Sequence, residues 1–335
     1  MKDKTLKKEE MFLSPYAFKS KDTVGRLKEE EPCSMRTDFQ RDRDRILHCK
    51  AFRRLKNKTQ VFFSPEGDHY RTRLTHTLAV SQVARGIARA LSLNEDLTEA
   101  IALGHDLGHT PFGHIGEDVL DKLTTCGFMH NQQSLRVVDC IEKEGRGLNL
   151  TMEVRDGILQ HKSTGTPSTL EGQIVSWADR IAYINHDIED AIRAGIIKSE
   201  ELPTRAVKVL GDKTKTRIGR AIADMYHTSY NQPFVKLSEE MTEAIHDLRA
   251  FMFERVYAYA NKIIQERSQR MLTQMFEYFM KNVDKLPKTY LRHLEEDGKE
   301  RVVCDYISGM TDRYALSVFE SLFIPSTFSI GGVQS

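Results

Sequence analysis

Apolar residues recur at the spacing of an amphipathic helix along almost the whole chain from Thr37 onward. The clearest run is RLTHTLAVSQVARGIARAL over residues 73–91, and comparable helical patterns cover residues 170–195, 242–280 and 301–323. The alternation of apolar and polar residues that is typical of half-buried strands is almost absent. This pattern predicts an all-α fold, a helical bundle with additional C-terminal helices.

By composition the chain divides into an arm, a large helical region and a short tail. Residues 1–35 are highly charged and contain turn-forming residues, so we predict a loosely ordered arm. Residues 36–325 are predicted to form a single α-helical domain, with a metal-binding core at about 70–195 and a C-terminal helical part at about 196–325. Residues 326–335 form the tail.

The composition favours a cytoplasmic protein. The chain has no apolar run near the roughly 18 residues that suggest a membrane span, and its first residues, MKDKTLKKEE, lack the apolar region of a secretory signal. The five cysteines are scattered and form no C-x-x-C pair, which argues against a disulfide framework. The formal net charge of +1 gives no general attraction to nucleic acid or membranes.

The stretch GHDLGHTPFGHIGED, residues 104–118, is too polar for a plain core helix and too regular for a random loop. Its His105 and Asp106 offer an imidazole nitrogen and a carboxylate oxygen, which are ligands for divalent metal ions. The preceding helix, capped by Asn94, is expected to end at Gly108, which lets both side chains face one site. Two ligands do not complete a metal site, so others must come from elsewhere in the chain.

His76 and Asp179 are the candidates for the remaining ligands. His76 lies on the apolar side of its predicted helix, where an imidazole needs a polar partner. Asp179 also lies among apolar residues, where an unpaired carboxylate is costly. Each has an ordinary alternative, because His76 can bond a backbone carbonyl and Asp179 can pair with Arg180. Steps of four residues lead from Asp179 to Tyr183 and Asp187, so these three side chains share one helix face and make a good pocket wall.

The order of these residues resembles that of a known family. His76, then His105-Asp106, then Asp179 follows the H…HD…D order of the HD-domain phosphohydrolase superfamily. The segments RTRLTHTLAVSQVARGIARAL, AIALGHDLGHTPFGHIGE, QIVSWADRIAYINHDIEDA and DYISGMTDRYAL are similar to those of its dGTPase-like branch, the deoxynucleoside triphosphate triphosphohydrolases. The resemblance implies an HD-domain helical bundle. It also implies that these four residues hold one divalent metal ion, whose identity stays open between Mn²⁺, Mg²⁺, Fe²⁺, Ni²⁺ and Zn²⁺.

The resemblance also implies roles for the remaining histidines. His114 and Glu117 are three residues apart, so on a short helix they can bond each other. In the family such a pair lies at the α-phosphate, where the carboxylate orients the imidazole for proton transfer. His109 is expected to contact the phosphate chain. His130 matches a further family histidine near the α-phosphate, with a surface-loop residue as the alternative.

Four further residues match the family's substrate contacts. Arg73 looks like the arginine that grips phosphate, for which its planar, always charged guanidinium is suited. Gln60 matches a residue beside the deoxyribose. Tyr183 would pack on the sugar where a 2′-hydroxyl would clash, and Asp187 would accept a hydrogen bond from the 3′-hydroxyl.

The resemblance as a whole implies metal-dependent hydrolysis of deoxynucleoside triphosphates by water attack on the α-phosphate, giving a deoxynucleoside and inorganic triphosphate. It further implies a homo-oligomer, a tetramer or hexamer, and some family members are activated by a deoxynucleotide. The alternative enzyme class is another HD phosphohydrolase: a nucleotide phosphatase, a phosphodiesterase or a (p)ppGpp hydrolase. A non-catalytic alternative is a nucleotide sensor or a protein that binds single-stranded nucleic acid weakly. It rests on the basic helical segment 41–58, which could also surround the phosphates or simply be solvated.

Overall fold

The structure is a computed structural model that describes residues 1–60, 71–257 and 262–325. Within these ranges it contains α-helices and only two isolated β-bridges, so the predicted all-α fold is confirmed. No helix in the described ranges is long and apolar enough to cross a membrane. The predicted tail, 326–335, lies outside the described residues. The α-helices of the described part are α1 (Lys2–Phe12), α2 (Asp38–Leu47), α3 (Lys50–Arg54), α4 (Arg73–Ala90), α5 (Glu95–Gly104), α6 (His114–Leu123), α7 (His130–Arg136), α8 (Glu142–Gly145), α9 (Met152–Gln160), α10 (Leu170–Arg193), α11 (Thr204–Leu210), α12 (Thr214–Ser229), α13 (Glu239–Met252), α14 (Lys262–Lys281), α15 (Lys288–Leu291), α16 (Leu294–Ser308) and α17 (Asp312–Phe323).

Helices α4, α5 and α10 form the centre of the larger of two apolar cores. On α4, Val80, Ala84 and Ile87 are almost completely buried, as are Ile174 and Ala178 on α10. Their spacing of three or four residues gives each helix one apolar face, and the two alanines allow the backbones to approach closely. This packing brings the polar residues near the start of α4 and the middle of α10 into the same region.

The second core lies between α6, α14, α16 and α17, and two polar clamps join it to the first. The buried side-chain nitrogen of Lys58 donates to the backbone carbonyls of His109 and, at 2.8 Å, of Ser308. The Asp312 carboxylate accepts the backbone N–H groups of Thr59, at 2.8 Å, and of Phe112, at 2.9 Å. The C-terminal helices therefore hold the turn between His109 and α6 in place.

The N-terminal segment differs from the expected loosely ordered arm, because it contains α1 and is attached to the domain by buried polar contacts. Arg26 pairs with the fully buried Asp42. The buried Glu171 of α10 accepts the backbone N–H of Phe18, at 3.0 Å, and of Asn94, at 2.9 Å. A high charge content predicts exposure only when the charges lack partners, and here they have partners far away in the sequence.

Replacing Glu171 with glutamine should remove a pH-dependent loss of stability. Burial raises the pKa of Glu171 from its ordinary 4.5 to about 7, and the backbone N–H groups offset only part of this shift. Between these two pH values the folded chain therefore keeps a proton that the unfolded chain has lost, so stability falls as the pH rises. The total loss is on the order of 3 kcal/mol.

Urea unfolding at pH 5 and pH 7.5 tests this expectation. The decrease in the free energy of unfolding should be clearly smaller in Glu171→Gln than in the wild type. Glu296→Gln, at an exposed glutamate, serves as the control and should keep the wild-type decrease. An equal decrease in Glu171→Gln and the wild type would show that Glu171 is not the group responsible.

Candidate active site

The four predicted metal ligands come together where α4, α10 and the turn after α5 meet. Nε2 of His76 lies 3.0 Å from Oδ1 of Asp179, and Nε2 of His105 lies 3.7 Å from the same oxygen. One potential ligand atom from each of His76, His105 and Asp106 lies within 4.8 Å of the others. Helix α5 ends at Gly104 rather than at the expected Gly108, so His105 and Asp106 lie just beyond the helix end.

The His105 ring shows that this cluster fits a cation. Its Nδ1 lies 2.7 Å from the carbonyl oxygen of Ala102, which makes Nδ1 the N–H donor and leaves a lone pair on Nε2. This Nε2 is buried and has no hydrogen-bond partner among the described residues. A buried imidazole lone pair that faces two carboxylates is the arrangement of a metal-binding histidine whose second nitrogen is held by the backbone.

The two carboxylates of the cluster are held in the ionised form that a metal ligand needs. Burial by itself would raise the pKa of Asp106, but the guanidinium of Arg73, 2.8 Å away, and the nearby His109 lower it well below its usual range. Burial would also raise the pKa of Asp179, but the contact with His76 outweighs burial, and the pKa is lowered. Among the described residues neither ordinary alternative is found. His76 and Asp179 contact each other, and Arg180 lies over the Trp177 ring.

A second cluster joins Glu117 to two histidines. The Glu117 carboxylate accepts the backbone N–H of His130 at 3.0 Å and lies 2.9 Å from its Nδ1, whereas the distance to Nδ1 of His114 is 3.5 Å. These contacts outweigh burial and lower the pKa of Glu117. The His109 ring stacks on the His130 ring with a centroid distance of 4.3 Å. The predicted pair of His114 and Glu117 is therefore present, but Glu117 is closer to His130, and the side chain of His114 is 77% exposed.

One cavity of about 550 Å³ connects the two clusters. Ten of the twelve predicted site residues line it, whereas His105 and Glu117 lie behind the lining and contact Asp179 and His130, respectively. His130 is buried in the site and is not a surface-loop residue. The ten lining residues are Gln60, Arg73, His76, Asp106, His109, His114, His130, Asp179, Tyr183 and Asp187.

Arg73 and Gln60 lie together against the turn that leads into α6. Gly113 in this turn has a φ of +60°, and a Cβ at its position would lie 3.2 Å from both an Arg73 nitrogen and the Gln60 carbonyl oxygen. The turn can approach this closely because glycine has no side chain. The Gln60 side-chain oxygen is buried and accepts no hydrogen bond from the described residues.

Tyr257 contacts the wall formed by Tyr183 and Asp187, and the sequence pattern did not reveal this contact. The hydroxyl of Tyr257 donates to Asp187. Burial, reinforced by the charge of Asp190, raises the pKa of Asp187 to about 7 despite this hydrogen bond. Tyr257 belongs to a π-helical turn, Phe253–Tyr257, that lies within the helical pattern of residues 242–280, for which one or two helices are expected. A residue-spacing argument based on a regular helix cannot place a side chain in such a turn.

His161 is a second residue that the sequence interpretation missed. Its Nδ1 lies 2.8 Å from the Ile158 carbonyl oxygen, and its Nε2 lies 3.3 Å from Nε2 of His130. Burial, with the nearby His105 and His130, lowers the pKa of His161 to about 3. Nothing in its local spacing distinguishes it from an ordinary histidine at a helix end.

Among the described residues that line this cavity, none belongs to the basic 41–58 segment. Arg43 pairs with Asp96 and Glu99 at 3.2 and 3.4 Å, and Arg45 pairs with Glu30 at 2.6 Å. The segment is also not one helix, since it comprises α2, α3 and a short 3₁₀ turn. The charges of these two arginines are therefore compensated within the chain.

Comparison with known proteins gives two family matches. Residues 73–184 match the HD domain, and residues 235–321 match the phosphohydrolase-associated domain. The first match begins at the start of α4 and includes Asp179 and the turn that carries His105 and Asp106, called the His-Asp turn below.

Similar proteins cover nearly the whole chain. A deoxyguanosinetriphosphate triphosphohydrolase-like protein of Caldanaerobacter subterraneus subsp. tengcongensis is 60% identical over 94% of this chain and 93% of its own. Proteins described in the same words from Clostridium perfringens strain SM101 and Desulfatibacillum aliphaticivorans are 50% and 47% identical. The first match covers 95% of this chain and 96% of the relative, and the second covers 97% and 99%. A crystal structure of a phosphohydrolase from Bacteroides thetaiotaomicron, 17% identical, matches with a TM-score of 0.54 over 83% of this chain and 68% of its own, which supports the fold.

Proposed function

The chain belongs to the deoxyguanosinetriphosphate triphosphohydrolase-like family of HD-domain phosphohydrolases, and on this premise we propose that it hydrolyses deoxynucleoside triphosphates to a deoxynucleoside and inorganic triphosphate. The observation that carries the proposal is that a His/Asp cluster, a histidine–carboxylate cluster and a Tyr/Asp wall share one cavity of about 550 Å³. This volume suits a ligand the size of a nucleotide. The three sets of groups correspond to the needs of phosphate binding, proton transfer and sugar recognition.

His76, His105, Asp106 and Asp179 would hold one divalent cation. When bound, the cation neutralises charge on the phosphate oxygens and polarises the α-phosphate. The two nitrogen and two oxygen ligands suit Mn²⁺, Fe²⁺, Ni²⁺ and Zn²⁺, and Mg²⁺ is a weaker match because it prefers oxygen ligands. Arg73 neutralises Asp106, and its remaining N–H groups would bind the phosphate chain together with His109.

The reaction that we propose breaks the bond between the α-phosphorus and O5′ of the deoxyribose. A water oxygen bonds to the α-phosphorus and stays with the triphosphate, while O5′ leaves with the deoxynucleoside and takes up a proton. His114, at Glu117, is the candidate to remove a proton from the attacking water, and His130, also at Glu117, is the candidate to give the proton to O5′. Glu117 orients the two rings and is not itself expected to exchange protons.

Sugar selection gives the test of this proposal. Tyr183 and Asp187 line the cavity on the same face as Asp179, so we propose that they contact C2′ and the 3′-hydroxyl of the sugar. We expect kcat/KM for dGTP to exceed that for GTP by about 10²-fold, since a packed side chain rejects an added hydroxyl by roughly this factor. Tyr183→Ala should reduce the preference several-fold, whereas Tyr183→Phe, which keeps the ring, should preserve it. Equal kcat/KM values for the two nucleotides in the wild type would refute this assignment.

A further inference from the structure

We propose that His161 is a positioning residue for the hydrolysis, one that fixes the ring of His130 and keeps a hydrogen on its Nε2. This inference rests on the proposed function, in which His130 is one of the groups at the α-phosphate. Its starting point is the chain of contacts from Glu117 through His130 to His161 along one side of the cavity.

The backbone determines which hydrogen bonds His161 can make. Its Nδ1 donates to the Ile158 carbonyl oxygen at 2.8 Å, at the end of α9, so the neutral ring has only a lone pair on Nε2. That lone pair is 3.3 Å from Nε2 of His130. Two nitrogens at this distance form a hydrogen bond only if one of them carries the hydrogen, and here the hydrogen must be on His130.

The other neighbours of His130 make its orientation unique. Both carboxylate oxygens of Glu117 lie 2.9 Å from Nδ1 of His130. The His109 ring stacks on the face of the His130 ring at an interplanar angle of 15°. A rotation of the His130 ring by 180° would place C–H groups opposite the acceptors on both sides. The His130 ring therefore faces an acceptor at each nitrogen, which requires a hydrogen on both nitrogens, and the acceptor at Nε2 is supplied by His161.

A purely structural role does not account for the direction of the His161 ring. Besides the hydrogen bond to Ile158, the His161 ring lines the cavity, where it contacts His130 and lies 5.0 Å from the His105 ring between centroids. The next residue, Lys162, has its Nζ 3.7 Å from an oxygen of Glu117. Two consecutive residues after α9 thus contact the same pair, Glu117 and His130.

The activity test compares His161→Leu, which removes the acceptor at similar volume, with His161→Gln, whose amide oxygen replaces it. We expect His161→Leu to lower kcat for dGTP by about 10- to 100-fold, as loss of a hydrogen bond to a reacting group typically does, with little change in KM or metal content. His161→Gln should recover most of the loss. Because His161 acts through His130, adding His161→Leu to His130→Ala should cause no further decrease in kcat. Equal losses in the Leu and Gln variants, or an additive loss in the double variant, would overturn the proposal.

A second measurement does not depend on dNTP hydrolysis. In ¹⁵N NMR of histidine-labelled protein, with His130 identified by the His130→Ala spectrum, wild type and His161→Gln should show hydrogen on Nε2 of His130. His161→Leu should lose this signature. An unchanged His130 signal in His161→Leu would overturn the positioning role even if the proposed dNTP hydrolysis were correct, and absence of dNTP turnover with the expected NMR change would contradict only the proposed function.

Discussion

His105→Ala should lose both the bound divalent metal and nearly all hydrolytic activity. The Nε2 atom of His105 is buried and carries a lone pair that faces the carboxylates of Asp106 and Asp179. Alanine has no atom that could replace this metal ligand. Without the cation, negative charge on the phosphates would be compensated mainly by Arg73. We expect kcat to fall by about 10³-fold or more, which corresponds to several kcal/mol of lost transition-state stabilisation.

Elemental analysis and dGTP turnover should be measured on the same preparation. The control is His186→Ala, which alters the chain's second His-Asp dipeptide, His186-Asp187. The His186 ring lies beside His76 but does not belong to the His76, His105 and Asp106 cluster. This control should keep its metal. Full metal occupancy in His105→Ala would contradict the proposed metal site. Loss of metal in His186→Ala alone would show that the metal binds at the second dipeptide instead.

Gly108→Ala should be among the most damaging substitutions that leave every polar group in place. A Cβ at residue 108 would lie 2.1 Å from the backbone nitrogen of Ser134 and 2.4 Å from the carbonyl carbon of Gln133. These are backbone atoms of α7, which cannot move aside like the end of a side chain. Since α7 begins with His130, a shift of this helix displaces that ring from Glu117. We expect stability to fall by about 3 kcal/mol or more and kcat to fall with it.

Gly86→Ala is the matched control for this prediction. Gly86 lies inside α4, and a Cβ there would meet no atom within 4 Å. Alanine at this position should raise the free energy of unfolding by up to about 1 kcal/mol, because it favours the helix over the unfolded chain. Urea unfolding of both variants measures the difference. Wild-type stability in Gly108→Ala would show that α7 does not pack on the His-Asp turn as the structure describes.

The sequence predicted best those features that depend on local helical geometry. The 73–91 and 170–195 patterns correspond to α4 and α10, and the predicted cap at Asn94 accepts from the backbone N–H groups of Asp96 and Leu97. The HD resemblance added the correspondence between residues on separate helices. Together they predicted a set of polar residues that the structure brings to one cavity.

The missed features depend on contacts between residues far apart in the sequence. Thr59 and Asp312 are 253 residues apart, and Tyr257 and Asp187 are 70 apart, so no local pattern connects them. His161 looked ordinary because its partner, His130, becomes visible only when α7 and α9 pack together. Helical periodicity describes which face of an element is apolar, but it does not say which polar groups from other elements meet that face.

The products formed from dGTP in ¹⁸O-labelled water test the central claim most directly. Mass spectrometry should detect deoxyguanosine without label and intact inorganic triphosphate with one ¹⁸O atom, because the proposed reaction joins the water oxygen to the α-phosphorus. Release of dGMP with pyrophosphate, of dGDP with orthophosphate, or of deoxyguanosine that carries the label would contradict it.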